Sequence, residues 1–278
     1  MIPTQSQFQK MLSDILRSVA NVEGQLTERE IACLICLASV PTASGEVLEI
    51  GTFKGRSTIV LAMASQLGPK ERILAVDPLT SPSITDPALK GGEPSAWEPL
   101  QANLKVAGVE HRVELHQQYS ADCARTWPAG RKLRLLWIDG DHTYRGAKTD
   151  FDLFSPFLAD GAIVAMHDVL HHHGGPARVF AEDILLSPHF GAAGFSGSIG
   201  WSQYYRDSRS TATWQMRKLE LYRRLARVIS YTAFGGEIEG VRKIGYKLAR
   251  ARVPHGDLNL VAWAGQVRLP AARVSLVL

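Results

Sequence analysis

Three carboxylates and two imidazoles lie in two short segments of the chain. Asp139, Asp141 and His142 belong to the run IDGDH, and His167 and Asp168 follow in the run MHD. Each group directly follows an apolar run that is typical of a buried strand. If the two strands are neighbours in a parallel sheet, the five side chains meet at one edge. Placing so many ionisable groups together costs free energy unless they are solvated, share protons or bind a cation. The pattern therefore indicates acid–base or metal chemistry.

A second candidate site follows an earlier apolar run, in the sequence EIGTFKGRS of residues 49–57. Its GxxxG spacing is neither the GxGxxG of dinucleotide sites nor the GxxxxGK[ST] of triphosphate sites. The glycines and the free amides at a helix start suit an anionic ligand, but Glu49 would repel a pyrophosphate. Asp77 ends the next apolar run, where it can accept both hydroxyls of a ribose. The pattern favours an adenosine ligand with a cationic end and no phosphate, although tight packing of strand on helix would also select the glycines.

Short apolar runs alternate with helical stretches from Glu46 onward. The runs predict strands over 47–51, 72–77, 112–116, 133–139 and 161–168. The stretches between them predict helices over 57–66, 96–107, 120–127 and 144–157. This alternation predicts a doubly wound α/β fold with a mostly parallel sheet. In such folds the ligand lies at the carboxyl ends of the strands, where both candidate sites are placed.

We predict three units along the chain: a helical segment over 1–44, an α/β domain over 45–206 and a basic helical extension over 207–278. In the first unit, Thr27 and Glu30 form a capping box ahead of a buried helix. The segment Leu79–Pro99 is rich in Pro, Ser and Gly and too long for a simple connection, so it is interpreted as a lid or a disordered insertion. Phe195–Arg206 is expected to close the sheet, whereas Leu258–Leu278 is ambiguous.

The composition is that of an ordinary globular protein, with 278 residues of which 45% are hydrophobic and 21% charged. The longest apolar run, Ile31–Val40, is about half of what a bilayer crossing needs. The N-terminus lacks the pattern of a secretory signal, so a cytoplasmic location is the expectation. Three cysteines cannot form a disulfide framework. Cys33 and Cys36 share one helix face, which favours core packing over redox or metal chemistry.

Positive charge is concentrated near the end of the chain. From Trp214 to Arg252 there are ten Lys and Arg against three Glu, a local net charge of +7, so the rest of the chain sums to −3. A solvated helix face is the simplest interpretation. Two partners remain open: an RNA, attracted by the basic surface, and a membrane surface, contacted through the amphipathic stretch Leu221–Phe234.

Four segments in order, VLEIGTFKGRST, ILAVDP, LLWIDGDHTY and GAIVAMHDV, resemble the class I S-adenosylmethionine-dependent methyltransferases. The likeness is to the O-methyltransferase branch with catechol-type and sugar- or macrolide-type enzymes, and it covers roughly Thr27–Arg206. It implies a seven-stranded Rossmann-like sheet, S-adenosylmethionine as cofactor and a homo-oligomer.

The resemblance also assigns the cofactor-binding residues. Those lining the methionine part come from the turn after the first strand, Asp77 holds the ribose, Ser120 contacts adenine and Asp139 lies beside the cofactor. Ser120 can equally be read as a helix N-cap. The residues of the turn are Glu49, Gly51, Thr52, Phe53, Gly55 and Ser57.

In the metal-dependent members of this branch, the positions of Asp139, His167 and Asp168 hold a divalent cation. The family usually has Asp or Glu where this chain has His167. Magnesium prefers oxygen ligands, whereas imidazole favours manganese, iron or zinc. The metal is therefore a softer one than magnesium, or the site is metal-free and His167 hydrogen-bonds the substrate or acts as base.

The catalytic base has two further candidates, Asp141 and His142, at positions where the sugar-type enzymes place a base and the catechol-type enzymes a lysine. The alternative is that the Gly140-Asp141-His142 turn only caps the following helix. His171, His172 and His173 cannot all face one ion without distortion, so we interpret them as a mobile, solvated loop.

The sequence therefore predicts an O-methyltransferase that acts on a hydroxyl of a small molecule, a sugar or a secondary metabolite, with Mg²⁺ or Mn²⁺ as a candidate second cofactor. Trp97 and the stretch Gly197–Trp201 are expected to shape the acceptor pocket. Two other functions stay open: an RNA methyltransferase that uses the basic C-terminal segment, and a protein that binds S-adenosylmethionine without turning it over.

Overall fold

The structure is a computed structural model that describes residues 3–67, 72–80, 96–233 and 238–269. Two helices precede the first strand, and the remaining elements alternate before a helical C-terminal part. The α-helices of the described residues are α1 (Gln5–Ser18), α2 (Glu28–Ser39), α3 (Arg56–Ala64), α4 (Trp97–Val106), α5 (Ser120–Arg125), α6 (Tyr144–Phe154), α7 (Gly174–Val179), α8 (Gln215–Thr232), α9 (Gly240–Ala251) and α10 (Leu260–Gln266).

Seven strands form one sheet in the order β3-β2-β1-β4-β5-β7-β6. They are β1 (Glu46–Ile50), β2 (Ile73–Val76), β3 (Val113–His116), β4 (Leu133–Ile138), β5 (Leu158–Met166), β6 (Phe190–Ser196) and β7 (Ile199–Tyr204). The first five are parallel to one another, and β7 runs antiparallel to β5 and to β6. The predicted doubly wound, mostly parallel sheet is confirmed, and the predicted closing segment Phe195–Arg206 contains β7, whose hairpin partner β6 begins earlier, at Phe190.

The central strands are buried on both faces, because alternate side chains enter two separate apolar clusters. Val47 of β1 and Leu135 of β4 pack on one face with helices α1, α2 and α3. Their neighbours Leu48 and Leu136 pack on the other face with α6, α7 and α8. Burial on both faces explains why these strands read as continuous apolar runs in the sequence.

The strand register places the carboxyl ends of β1, β4 and β5 at the same level in the sheet. Ile50 pairs with Ile138, which in turn pairs with Met166. The residues that follow these three strands therefore emerge side by side at the carboxyl edge. This is the geometric reason that chemistry-bearing residues 28 positions apart, Asp139 and His167, lie together.

The helical N-terminal segment begins as predicted. Thr27 and Glu30 form the capping box of α2, and Cys33 and Cys36 are both 0% exposed in the core. Helices α1 and α2 share their apolar cluster with β1, and so does Trp263 of α10. The boundaries of the three predicted units remain predictions.

The C-terminal part corrects one expectation. The apolar side of α8, formed by Leu221, Leu225 and Val228, is buried, so the described part of the predicted amphipathic stretch packs against the sheet domain and is not a free membrane-binding face; Phe234 lies outside the described residues. None of the described helices is long and apolar enough to cross a bilayer. Of the predicted lid over Leu79–Pro99, residues 81–95 lie outside the described residues.

Candidate functional site

The carboxyl edge of the sheet carries unusual backbone geometry. Among the described residues, the non-glycine positions with positive φ are Phe53 (46°), Leu79 (52°) and Asp168 (56°). They follow β1, β2 and β5 respectively. Such conformations cost about 1–3 kcal/mol each and gather at functional sites, so the strain singles out this edge of the molecule.

Asp77 anchors the glycine turn. One oxygen of its carboxylate accepts hydrogen bonds from the amides of Thr52 (2.7 Å) and Phe53 (2.9 Å), and the other accepts from the amide of Leu79 (2.7 Å). The amides that would have attracted an outside anion are thus held by the protein's own carboxylate. A phosphate at this turn would meet a negative charge where the glycine pattern alone suggested free donors.

The glycines of this turn serve packing. A Cβ on Gly51, whose φ is +87°, would lie 2.1 Å from the carbonyl oxygen of Asp139. A Cβ on Gly55, whose φ is +89°, would lie 2.6 Å from Leu100 of α4. Gly51 therefore lets β1 and β4 meet at the edge, and Gly55 lets α4 approach the start of α3.

Glu49 points into the core beneath the turn and is 0% exposed. Its oxygens accept hydrogen bonds from the hydroxyls of Ser57 (2.5 Å) and Thr58 (2.6 Å) of α3. Burial raises the pKa of Glu49 to about 8, and the two hydroxyl donors only partly offset that effect. At neutral pH the ligand-free protein holds this carboxyl group mostly in its protonated form.

Replacing Glu49 by glutamine is expected to stabilise the ligand-free protein, and more so at pH 8 than at pH 5. Between the ordinary pKa of 4.5 and about 8 the unfolded chain has lost this proton while the folded chain keeps it. Stability therefore falls as pH rises through that range, by up to about 1.4 kcal/mol per pH unit. Glutamine mimics the protonated form and removes the dependence. Urea unfolding at the two pH values measures the difference, with the exposed Glu110→Gln as control. An unchanged pH dependence would contradict the assignment.

A cluster of opposite charges occupies the ends of β4 and β5. Nδ1 of His167 lies 3.0 Å from Oδ1 of Asp139 and 3.4 Å from Oδ1 of Asp168. Burial disfavours an imidazolium, but the two carboxylates outweigh it and raise the pKa of His167 well above its usual value. Burial likewise opposes ionisation of Asp139, yet His167 and His142 hold the pKa of Asp139 at about 2. The raised pKa of His167 and the lowered pKa of Asp139 favour an ion pair between these two side chains.

Glu30 is the residue of this cluster that the sequence did not identify. One of its oxygens closes the capping box with Thr27, and the other accepts hydrogen bonds from the amide and hydroxyl of Ser198 (2.7 Å each). That second oxygen also lies 3.8 Å from Nε2 of His167, an ion-pair distance. A glutamate three residues after a threonine predicts a helix start, and nothing local reveals that the same carboxylate faces a histidine 137 positions further on.

His142 approaches the cluster from the loop after β4. Its Nε2 lies 3.2 Å from Oδ2 of Asp168 and 3.8 Å from Oδ1 of Asp139. Burial lowers the pKa of His142, but the two carboxylates reverse the sign and raise it. The ring of His173 stacks on that of His142 at 4.4 Å, and burial and the His142 charge lower the pKa of His173 to about 4. Of the three consecutive histidines, His171 and His172 are exposed and His173 joins the site.

Asp141 and Ser120 form contacts that the sequence analysis did not predict. Oδ1 of Asp141 accepts from the amide of Thr143 (2.8 Å), closing the turn before α6. Tyr119, and not Ser120, is the N-cap of α5, so the N-cap interpretation of Ser120 is wrong. The Ser120 hydroxyl instead lies near Asp150 and acts to lower the pKa of that carboxyl group.

Asp150 is a second residue that the sequence analysis missed. Burial raises its pKa to about 6, against the effect of Ser120. It lies on the buried side of α6 with Ala147, Phe151 and Phe154. A carboxylate in an otherwise apolar helix stripe is the signal that could have found it.

Only part of the predicted acceptor pocket lies beside the charged cluster. Trp201 is 1% exposed and packs on Trp263 at 5.0 Å, so it belongs to the core and not to a pocket wall. Trp97 begins α4 and packs against the same apolar cluster. In the stretch Gly197–Trp201, Ser198 is the residue that reaches the cluster, through Glu30.

The residues at the ends of β4 and β5 suit a metal cation in their donor types. One donor atom from each of Asp139, His167 and Asp168 lies within 4.8 Å of the other two, and the nitrogen of His167 that faces both carboxylates is Nδ1. Asp168 forms a second such group with His142 and His173. Those two rings are stacked nearly parallel, 17° apart, so their in-plane nitrogen lone pairs lie in two separate planes, which disfavours a shared ion.

Comparison with known proteins gives a family match over the site itself. Residues 48–169, from β1 to just beyond Asp168, match the model of a methyltransferase domain. An uncharacterized protein of Acanthamoeba polyphaga mimivirus is 26% identical over 146 residues, covering 50% of this chain and 58% of that protein. The chain thus spans less than two thirds of the length of that relative.

Solved structures share the fold. Cofactor-bound Rv0187 from MTB superposes with a TM-score of 0.53 at 22% identity, over 71% of this chain and 91% of that one. A protein from Corynebacterium glutamicum gives the same TM-score of 0.53 at 15% identity, again over 71% and 91%. At these identities the likeness speaks for the fold alone.

Proposed function

Because residues 48–169 match the model of a methyltransferase domain, we propose that the protein is a class I S-adenosylmethionine-dependent methyltransferase that transfers a methyl group to a hydroxyl oxygen of a small molecule. The observation that carries this proposal is the arrangement of charged groups at the carboxyl edge of the sheet, at the glycine turn and at the ends of β4 and β5. Asp77 satisfies the amides of the turn, which disfavours a phosphate-bearing nucleotide. Carboxylate and imidazole groups lie together at the ends of β4 and β5, where they would take the proton of an acceptor hydroxyl.

The cofactor would lie along this edge. Asp77 would accept the ribose hydroxyls with the lone pairs that the backbone amides leave free, and Ser120 with Asp150 would contact the adenine end. Gly51, Thr52 and Phe53 would border the methionine part, and the buried pair of Glu49 and Ser57 would support the turn from beneath. When bound, S-adenosylmethionine supplies a methyl group on a positively charged sulfur, which an acceptor oxygen displaces in line.

We favour His142 as the base. Nε2 of His142 lies 3.2 Å from Asp168, whose negative charge would stabilise the imidazolium that forms when the ring takes the proton of the acceptor hydroxyl. Asp141 is occupied by the amide of Thr143, and His167 is the more deeply buried of the two histidines. The role of Asp141 would then be to shape the turn that presents His142.

Calorimetric titration with S-adenosylmethionine and with its demethylated product tests the cofactor, with NAD and ATP as comparison ligands. Transfer of a labelled methyl group to a panel of sugars and hydroxylated secondary metabolites tests the acceptor class. Binding of NAD or ATP in place of S-adenosylmethionine would overturn the proposal. Cofactor binding without transfer to any hydroxyl, amine or RNA acceptor would favour a non-catalytic binding protein.

The proposed metal ligands are Asp139, His167 and Asp168. A divalent cation held there would lower the pKa of a coordinated hydroxyl and orient it. His167 must lose its proton before it can ligate, and its raised pKa makes that loss costly at neutral pH. Metal affinity should therefore depend on pH, because the ion competes with the proton on His167.

We expect Mn²⁺ to bind at least about tenfold more tightly than Mg²⁺, because an imidazole among the ligands suits the softer ion. Affinity should rise with pH between 6 and 8, since each bound ion displaces the His167 proton. His167→Asp is expected to shift the preference toward Mg²⁺ and to remove this pH dependence. Calorimetry on protein freed of metal by a chelator measures both effects, with Asp152→Asn as control. Equal affinities, or binding that survives Asp139→Asn combined with Asp168→Asn, would refute the site.

A further inference from the structure

Helix α9 presents an apolar stripe to the outside of the protein. Val241, Ile244 and Leu248 are 85%, 60% and 56% exposed. Their spacing of three and four places them on one face of the helix. The opposite face attaches α9 to the protein, since Ala249 is buried and the Tyr246 hydroxyl donates to the carbonyl of Leu170 (2.9 Å). The exposed stripe is therefore not the face that holds the helix in place.

Positive charge accompanies this stripe. The helix contains Arg242, Lys243, Lys247 and Arg250 and no acidic residue. Lys243 and Lys247 are exposed and lie beside the stripe by helical spacing. Arg252, four positions after Leu248, continues the same face beyond the end of the helix. An apolar stripe bordered by cations complements a surface that is apolar inside and anionic outside.

An arginine-lined cleft adjoins the end of the stripe. A cleft of about 640 Å³ between α8 and α9 is lined by Glu220, Arg223, Arg224, Arg227, Ala251 and Arg252. Arg224 is committed to Glu220 (2.8 Å) and to the carbonyl of Arg252 (2.9 Å). Arg223 and Arg227 are exposed and form no ion pair with any described residue. Guanidinium groups suit phosphate oxygens in geometry and charge.

We propose that the α8–α9 face, consisting of the stripe Val241, Ile244 and Leu248 and of the arginine-lined cleft, docks on a membrane that contains anionic phospholipids. The stripe enters the interface between headgroups and acyl chains, and Arg223 and Arg227 contact lipid phosphates. An RNA would satisfy the arginines but would leave three large apolar side chains in water, so the observations favour the lipid surface. The proposal does not depend on methyl transfer, because neither the cofactor nor the residues at the strand ends take part.

Sedimentation with vesicles tests this docking on the full chain. We expect binding to vesicles of phosphatidylcholine with about one third phosphatidylglycerol, weak binding to phosphatidylcholine alone, and loss of binding as salt is added. Val241→Ser with Ile244→Ser and Leu248→Ser should reduce the vesicle affinity at least about tenfold. Arg223→Ala with Arg227→Ala should do the same for anionic vesicles. All five side chains are exposed, so thermal unfolding should show these variants folded.

The matched control is Val106→Ser with Val261→Ser, which removes two apolar side chains that are 88% and 77% exposed outside this face. It should bind vesicles as the unaltered protein does. Absence of vesicle binding, or equal binding by the stripe variant and the control, would overturn the proposal. So would binding of RNA or inorganic pyrophosphate through Arg223 and Arg227 without vesicle binding. Light scattering that shows the stripe holding two copies together, with no affinity for vesicles, would overturn it as well.

Discussion

Replacing Asp139 by asparagine is expected to lower the rate of methyl transfer by about 10²–10⁴-fold, the range that a proton-transfer group contributes. Asp139 is the carboxylate nearest to Nδ1 of His167, at 3.0 Å, and it also faces His142. The amide keeps the size of the side chain but removes the charge that orients both imidazoles and that would bind a cation. Initial rates with a labelled methyl donor measure the loss, once an acceptor is in hand.

The control for this change is Asp152→Asn, which neutralises an exposed carboxylate on α6 whose ion-pair partner among the described residues is Lys148. It should retain full turnover. Cofactor affinity should also fall much less than turnover in Asp139→Asn, because Asp77 and the glycine turn are untouched. Full turnover by Asp139→Asn would remove the strand-end cluster from the mechanism.

Gly51→Ala is expected to destabilise the protein by more than about 3 kcal/mol and to abolish cofactor binding. The new Cβ would lie 2.1 Å from the carbonyl oxygen and 2.4 Å from the carbonyl carbon of Asp139, and the φ of +87° is itself unfavourable for alanine. Because the obstacle is backbone, relief requires the ends of β1 and β4 to separate. Those ends carry both the glycine turn and Asp139. Urea unfolding and cofactor titration measure the two effects.

The Gly108→Ala variant distinguishes the cost of a positive φ from the cost of a steric clash with the new Cβ. Gly108 also has a positive φ, +67°, but a Cβ there would meet nothing within 4 Å. It should cost only about 1–2 kcal/mol, the penalty of the left-handed conformation, and leave cofactor binding intact. If the two glycine variants behave alike, the close approach of the strand ends does not explain the requirement at Gly51.

The carboxyl edge of the sheet was predictable because it depends on chain order. Parallel strands separated by helices must place Asp139, His167 and Asp168 at one edge, and the residues in β1, β4 and β5 pair as that rule requires. The capping box of α2 was predictable for a different reason, since Thr27 and Glu30 are three residues apart and interact within one helical turn.

The contacts of Glu30 and Asp150 were not predictable from local pattern. Glu30 meets Ser198 across 168 positions and His167 across 137, and only the packing of α2 against the β6–β7 hairpin and the end of β5 brings them together. Asp150 meets Ser120 because α5 and α6 are neighbours, which sequence order alone does not specify. Both are buried carboxylates whose partners come from other elements.

The amino-acid sequence by itself determined the elements from β1 to β5, their alternation and the amphipathic character of α8, because these follow from periodicity and local propensity. The tertiary structure decided which apolar faces are covered. The α8 face of Leu221, Leu225 and Val228 is buried, while Val241, Ile244 and Leu248 of α9 are exposed. A helical period shows that a face is apolar, but whether another element packs on it depends on contacts between residues distant in the chain.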